Sequence, residues 1–248
     1  MVQIYKTKTG VMFYLSRQKN ANMRILVVVA TEMEARPLIS EFGIFVSGLF
    51  GKPEPVYTQQ QTHNLRLLIT GVGMVATAFA LGSHLAKNKY DLVINLGIAG
   101  SFDKNIALGE VLEISDDAFA ELGAEDGDDF LPVDQLGFGE SACKPTTKLA
   151  DLYNLFNTFN LKTAKAITVN TVHGNDASIN KVVERLNPQL ESMEGAAFFY
   201  ACRQMKVPCM QIRAVSNYVE KRNRDGWQIG LAIKNLNTFA IEFLKLYA

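Results

Sequence analysis

The sequence predicts an α/β domain in three layers, with helices on both sides of a mixed, partly parallel central sheet. Ile25-Leu26-Val27-Val28-Val29-Ala30 and Leu92-Val93-Ile94-Asn95-Leu96 are short apolar runs rich in β-branched residues, the pattern of strands covered on both faces. Runs with apolar residues at helical spacing follow, near residues 74–87 and 229–247, so strands and helices share the chain in the way layered α/β folds require. Small residues then stand where strands end, as in Gly97-Ile98-Ala99-Gly100-Ser101, and that is where such folds let a backbone approach a ligand.

Bulk composition narrows the function classes. A chain of 248 residues with 48% hydrophobic and 20% charged content can bury one large core. Its 25 Lys and Arg balance 25 Asp and Glu, which argues against nucleic-acid or membrane-surface binding driven by bulk charge and favours a small ligand. Cys143, Cys202 and Cys209 are odd in number and form no Cys-x-x-Cys pair, so neither a disulfide framework nor a thiolate metal site is expected, and a reduced cytoplasm suits the chain. No run of eighteen apolar residues suggests a membrane span. Residues 1–22 lack the apolar core of a signal peptide and read as an extension without functional weight, ahead of a single domain over 23–248.

Taken in order, the first strand over 25–30 leads into Thr31-Glu32-Met33-Glu34, a capping-box spacing at the start of a helix. Glu34 therefore either caps that helix or, at the carboxyl end of a central strand, faces a cleft and handles protons. Residues 45–70 read as hairpin-like strands, Ile44-Phe45-Val46, Pro55-Val56-Tyr57 and Leu65-Arg66-Leu67-Leu68-Ile69, separated by Gly and Pro. Thr70-Gly71-Val72-Gly73-Met74 opens the next helix, as a tight turn or a phosphate cradle. It is not a dinucleotide fingerprint, because Ala76 stands at the third glycine position.

After the strand over 92–96, residues 110–118 suggest a strand pair, and residues 121–129 an acidic solvated loop whose spacing does not fit an EF-hand. Residues 138–155 read as loop then helix. A strand and turn end in Thr171-Val172-His173-Gly174, a short helix covers Asp176 to Leu186, and Glu191-Ser192-Met193-Glu194-Gly195-Ala196-Ala197 leads into another. Val207-Pro208-Cys209-Met210-Gln211-Ile212-Arg213-Ala214-Val215-Ser216-Asn217 is a buried strand ending in an amide, followed by the basic stretch from Tyr218 to Trp227.

Ser192-Met193-Glu194-Gly195-Ala196-Ala197, followed some twenty residues on by Arg213-Ala214-Val215-Ser216-Asn217, resembles the nucleoside phosphorylase and nucleosidase superfamily over about residue 24 to the C-terminus. Within it the chain is similar to the branch that hydrolyses futalosine, related to the methylthioadenosine and adenosylhomocysteine nucleosidases. The resemblance implies a phosphorylase/hydrolase-like αβα fold and a role in menaquinone biosynthesis. It implies Glu34 as the residue that activates water, and Glu194 with Met193 as the ribose site. Ile98, Ala99 and Gly100 then form the turn against sugar and base. Val172 and His173 lie where a purine-stacking residue is placed, His173 either stacking on the base or making ordinary loop hydrogen bonds. Trp227 and Arg222 lie where the 5' substituent is met, with core packing and solvated charge as the rival explanations. No metal or organic cofactor is implied, and a homodimer or larger homo-oligomer is.

Asn217 departs from the adenine-cleaving members, which carry Asp there. An amide cannot hand over a proton, so it suits hypoxanthine, whose 6-oxo group spreads the departing charge. The alternatives are a methylthioadenosine nucleosidase, a purine nucleoside phosphorylase, and a non-catalytic nucleoside sensor on the same fold.

Overall fold

The computed structural model describes residues 6–7, 10–11, 23–48, 64–148 and 161–246. The strand expected at Pro55-Val56-Tyr57, most of the 1–22 extension and the end of the helix expected near residue 155 lie outside them. In chain order the elements are β1 (Lys6–Thr7), β2 (Gly10–Val11), β3 (Ile25–Val29), α1 (Glu32–Phe42), β4 (Phe45–Gly48), β5 (Leu65–Ile69), α2 (Met74–Leu85) and β6 (Leu92–Ser101). They continue as β7 (Val111–Phe119), β8 (Gly123–Asp126), β9 (Asp129–Pro132), β10 (Ala142–Cys143), β11 (Lys162–Thr168), α3 (Asp176–Leu186), β12 (Leu190–Ser192), α4 (Gly195–Gln204), β13 (Cys209–Tyr218) and α5 (Ile229–Leu244).

Nine strands form one mixed sheet. β4, β5, β3, β6 and β13 run parallel as successive neighbours, so their carboxyl ends point the same way. β13 then pairs antiparallel with β7, β7 parallel with β11, β11 parallel with β12, and β12 antiparallel with the end of β6. The sheet thus closes on itself through β6, β13, β7, β11 and β12. β6 is long enough to serve both regions: residues 92–95 pair with β3, and residues 100–101 pair with β12.

β3 shows why there are three layers. Successive side chains of a strand point to opposite faces. Ile25, Val27 and Val29 pack in a core with Ala35, Leu38 and Phe42 of α1 and Leu236, Phe239 and Phe243 of α5. Leu26 and Val28 pack in a second core with Leu81 and Leu85 of α2 and Phe198, Phe199 and Cys202 of α4. Truncating a fully buried Phe such as Phe198 or Phe199 to Ala costs about 3–5 kcal/mol.

Three local expectations differ from the structure. β4 pairs parallel with β5 rather than as a hairpin. Residues 111–119 form one continuous strand instead of a pair. The acidic stretch is a β8–β9 hairpin turning at Gly127, whose φ of 64° suits glycine.

Candidate active site

The parallel strands end at a cavity of about 360 Å³. All eleven residues singled out in the sequence line it: Glu34, Ile98, Ala99, Gly100, Val172, His173, Met193, Glu194, Asn217, Arg222 and Trp227. They come from the turn after β3, the end of β6, the turn after β11, the start of α4, the end of β13 and the segment before α5.

Glu34 is in the first turn of α1, whose N-cap is Thr31. Its Oε2 accepts from both the Thr31 amide and the Thr31 hydroxyl, each at 2.9 Å. The helix-capping role and the cleft-facing position are therefore both present, because the other oxygen is turned to β6, where the Ile98 amide donates to Oε1 at 3.3 Å. Asn237 of α5 holds the Glu34 carbonyl at 2.8 Å and fixes the turn from behind. Burial raises the Glu34 carboxyl above its ordinary value, and the nearby Glu194 charge adds to this. Arg213 and the two Thr31 bonds oppose it.

Arg213 was missing from the predicted set. It is 2% exposed, and its Nη2 donates to Asn95 Oδ1 at 2.6 Å. Gly97 makes its position possible: a Cβ there would lie 2.1 Å from Arg213 Nη1 and 3.2 Å from Glu34 Oε1. The Arg213 guanidinium is thus near enough to Glu34 to lower the cost of its charge, without a direct ion pair. The signal in the sequence was a charged residue inside an otherwise buried strand, which needs a partner charge or hydrogen bonds.

Glu194 is the N-cap of α4 and is buried. Its Oε1 accepts from the Gly73 amide at 3.0 Å. The Gly71-Val72-Gly73 turn therefore brings its backbone to a carboxylate of the protein's own, and no phosphate is needed to explain the glycines. The partial positive charge of the helix N-terminus faces this carboxyl group.

Asn217 is aimed by a bulge. The β13–β6 register shifts between Val215 and Asn217, which pairs with Gly100. The Ser216 hydroxyl donates to Asn217 Oδ1 at 2.8 Å, and Asn217 Nδ2 donates to the Tyr218 carbonyl at 3.0 Å. Gly100 leaves the space, since a Cβ there would lie 3.2 Å from Asn217 Nδ2 and 3.5 Å from Glu191 Cγ.

His173 is held by loop hydrogen bonds, one of its two sequence readings, while still lining the cavity. Its partner is Glu191, which also lines the cavity. At the other end, Arg222 and Arg224 stand 5.1 and 5.9 Å from the Trp227 ring centroid, within cation–π range, and Lys104 pairs with Glu220 on the exposed rim at 2.9 Å. Trp227 is thus at the cavity wall; Arg224 is beside it but does not line the cavity.

The arrangement offers two carboxyl groups, Glu34 near a guanidinium and Glu194 at a helix N-terminus, and an amide packed against Gly100. Such a set can hold a polyhydroxy ring, support a positive centre and hydrogen-bond a leaving group.

Comparison with known proteins agrees in extent. The Phosphorylase superfamily profile matches residues 24–246. A futalosine hydrolase of Streptomyces coelicolor is 36% identical over 176 residues, covering 68% of this chain and 74% of its own. That of Acidothermus cellulolyticus is 32% identical over 220 residues, 86% of each chain. The fold matches the native structure of futalosine hydrolase from Helicobacter pylori with a TM-score of 0.69 at 16% identity, covering 89% of this chain and 98% of that one. Profile, relatives and fold agree over nearly all the described residues, and the chain belongs to the phosphorylase superfamily and, within it, to the futalosine hydrolase family.

Proposed function

We propose that the chain hydrolyses the N-ribosidic bond of futalosine, taking up one water and releasing hypoxanthine and dehypoxanthine futalosine, as a step of menaquinone biosynthesis in the cytoplasm. The observation that carries this reading is that Glu34, Glu194 and Asn217, distant in sequence, open into one cavity.

Breaking the bond passes through a ribosyl cation and a purine anion, so three tasks must be met. Glu194 accepts hydrogen bonds from the ribose hydroxyls and places negative charge near the developing cation. Met193 gives the sugar a soft apolar wall. Glu34 takes the proton of the water that attacks C1', a role worth about 10²- to 10⁴-fold in rate. Arg213 opposes the effect of burial on the Glu34 carboxyl. Asn217 donates to the N7 and O6 edge of the leaving base. Ile98, Ala99 and Gly100 form the floor, and Val172 with His173 the wall at the base.

Water rather than phosphate as co-substrate is supported by two features. The Gly73 amide already serves Glu194. Among the described lining residues, Arg222 is the sole Lys or Arg, and it stands by Trp227. That pair suits a 5' arm bearing an aromatic or carboxylate group, since guanidinium binds carboxylate through two hydrogen bonds.

A homo-oligomer belongs to the same reading. Val72, in the turn before α2, and Val75 and Phe79 on that helix are 56%, 81% and 63% exposed, and Val72 also lines the cavity. An apolar helix face continuous with the site suits burial against a second copy.

The test is to incubate purified protein with futalosine, inosine and methylthioadenosine, with and without phosphate, and to measure free base. Hypoxanthine from futalosine without phosphate supports the proposal. Adenine release from methylthioadenosine in its place, or a strict phosphate requirement, overturns it.

A further inference from the structure

Beside Asn217 the cavity contains a pair that the hydrolytic steps leave idle. His173 and Glu191 are joined twice: the His173 amide donates to Oε1 at 3.1 Å, and Nδ1 meets Oε2 at 2.7 Å. Both line the cavity, and their side chains are 13% and 3% exposed. The Phe102 ring meets His173 edge-on at 6.1 Å, which sets the plane of the imidazole. Among the described residues Nε2 has no hydrogen-bond partner. A Cβ at Gly100 would lie 3.0 Å from Val219 Cγ2, 3.2 Å from Asn217 Nδ2 and 3.5 Å from Glu191 Cγ, so the amide and the Glu191 side chain both pack against this glycine. The amide and the pair therefore address the same end of whatever enters.

Charge decides what the ring presents. A buried carboxylate needs a counter-charge or a proton, and no Lys or Arg bonds Glu191 among the described residues. In both charge-neutral forms of the pair Nε2 carries an N–H: with the proton on Glu191 the ring accepts it at Nδ1, and with the proton on the ring both nitrogens are donors. Glu121, in the turn after β7, adds negative charge toward Glu191 and favours keeping that proton. Arg222 also lines the cavity, from the segment beyond β13, with its guanidinium over the Trp227 ring. Phe102 is neutral.

We propose that the His173–Glu191 pair is a specificity-determining element, presenting an imidazole N–H to the 6-substituent of the purine, so that a 6-oxo group is accepted and a 6-amino group refused. This rests on the reading of the cavity as a purine nucleoside site. An oxo group accepts the N–H, and its growing negative charge during bond cleavage strengthens the contact. An amino group turns a donor against a donor and leaves both buried groups unpaired, an effect on the order of 10- to 100-fold. It also supplies a second donor at the position where Asn217 alone offers only an amide.

The test measures binding of free hypoxanthine and free adenine by calorimetry, with futalosine turnover in parallel, for the wild type, H173F, H173Q and E191Q. The wild type should prefer hypoxanthine. H173F should lose roughly 10- to 100-fold of that preference, H173Q, which restores a donor, should recover part of it, and E191Q should fall between H173F and the wild type. An H173F protein with an unchanged hypoxanthine-to-adenine ratio, or with both bases weakened equally, overturns the proposal. So does a wild type that prefers adenine or binds neither base. If the preference depends on His173 while futalosine is not turned over, the inference stands and the hydrolase reading falls. Turnover with a ratio indifferent to His173 gives the converse.

Discussion

At the scale of single residues, Glu34 combines two jobs. One oxygen is committed to Thr31 and the start of α1, and the other faces β6 at the cavity, where it accepts from the Ile98 amide near Arg213. Glu34→Gln keeps the size of the side chain but cannot accept a proton, so turnover should fall by about 10²- to 10⁴-fold while substrate affinity changes by less than about tenfold. Near-normal single-turnover rates would remove Glu34 from the proton transfer. Because burial raises its carboxyl, the base is protonated and idle as pH drops below that raised value. The wild-type kcat/KM should therefore decline on the acid side at a pH above the ordinary 4.5 for Glu, and the residual activity of the Gln variant should lack that limb. Asn217 carries the second prediction. Asp in its place can donate a full proton, so Asn217→Asp should raise adenine-nucleoside cleavage relative to hypoxanthine-nucleoside cleavage. An unchanged ratio of the two kcat/KM values would show that this residue does not serve the leaving base.

At the scale of elements, β6 and β13 run side by side, and two glycines of β6 admit Arg213 and Asn217 of β13 to the site. A methyl group at Gly97 would meet Arg213 Nη1 at 2.1 Å, whereas one at Gly100 meets Val219 Cγ2 at 3.0 Å and Asn217 Nδ2 at 3.2 Å. The first contact displaces a buried cation; the second asks two side chains to yield slightly. Gly97→Ala should thus destabilise by roughly 1–3 kcal/mol and nearly abolish turnover. Gly100→Ala should leave the melting temperature within a few degrees and cost about 10- to 100-fold in kcat/KM. Equal effects in melting and kinetic assays would contradict this order. The same strands show what was legible in the sequence. β3, the first half of β6 and β13 are covered on both faces, so their apolar runs identified them, and Glu34 and Asn217 could be placed past the ends of β3 and β13, with Glu194 just before a helix. β8 left no such signal because all four of its residues are exposed, and its acidic composition read as loop. β4 could not be told from a hairpin strand, since parallel pairing depends on where the chain returns. Arg213 and Glu191 were equally hidden: what they do follows from approaches across 118 and 18 residues of sequence, to Asn95 and His173.

At the scale of the whole molecule, the closure of β6, β13, β7, β11 and β12 encloses a carboxyl group that is nowhere exposed. Asp117 of β7 accepts from Thr168 Oγ1 of β11 at 2.7 Å and from Gln211 Nε2 of β13 at 2.9 Å. Thr168 Oγ1 in turn accepts the Ala196 amide of α4 at 2.7 Å, so the carboxylate is tied to the helix that begins at Glu194. Burial dominates its chemistry and pushes its pKa from 3.8 to about 6, against the hydrogen bonds and Arg213. Between those two values the folded chain holds a proton that the unfolded chain has released. Stability from this group is therefore fully present below about pH 4 and is lost as pH rises through about 6. The shift corresponds to roughly 3 kcal/mol. Asp117→Asn removes the titration and keeps the shape, and the buried Gln211 Oε1, which lacks a partner among the described residues, can accept from the new amide. Other raised carboxyls, Glu34 and Glu191, titrate in both proteins and cancel in the comparison. Denaturant unfolding of the two proteins across this range should show the wild type losing roughly 3 kcal/mol relative to Asp117→Asn between about pH 4 and pH 6, with a constant difference above. A difference independent of pH would mean that Asp117 stays ionised in the closed sheet, with Arg213 outweighing its burial.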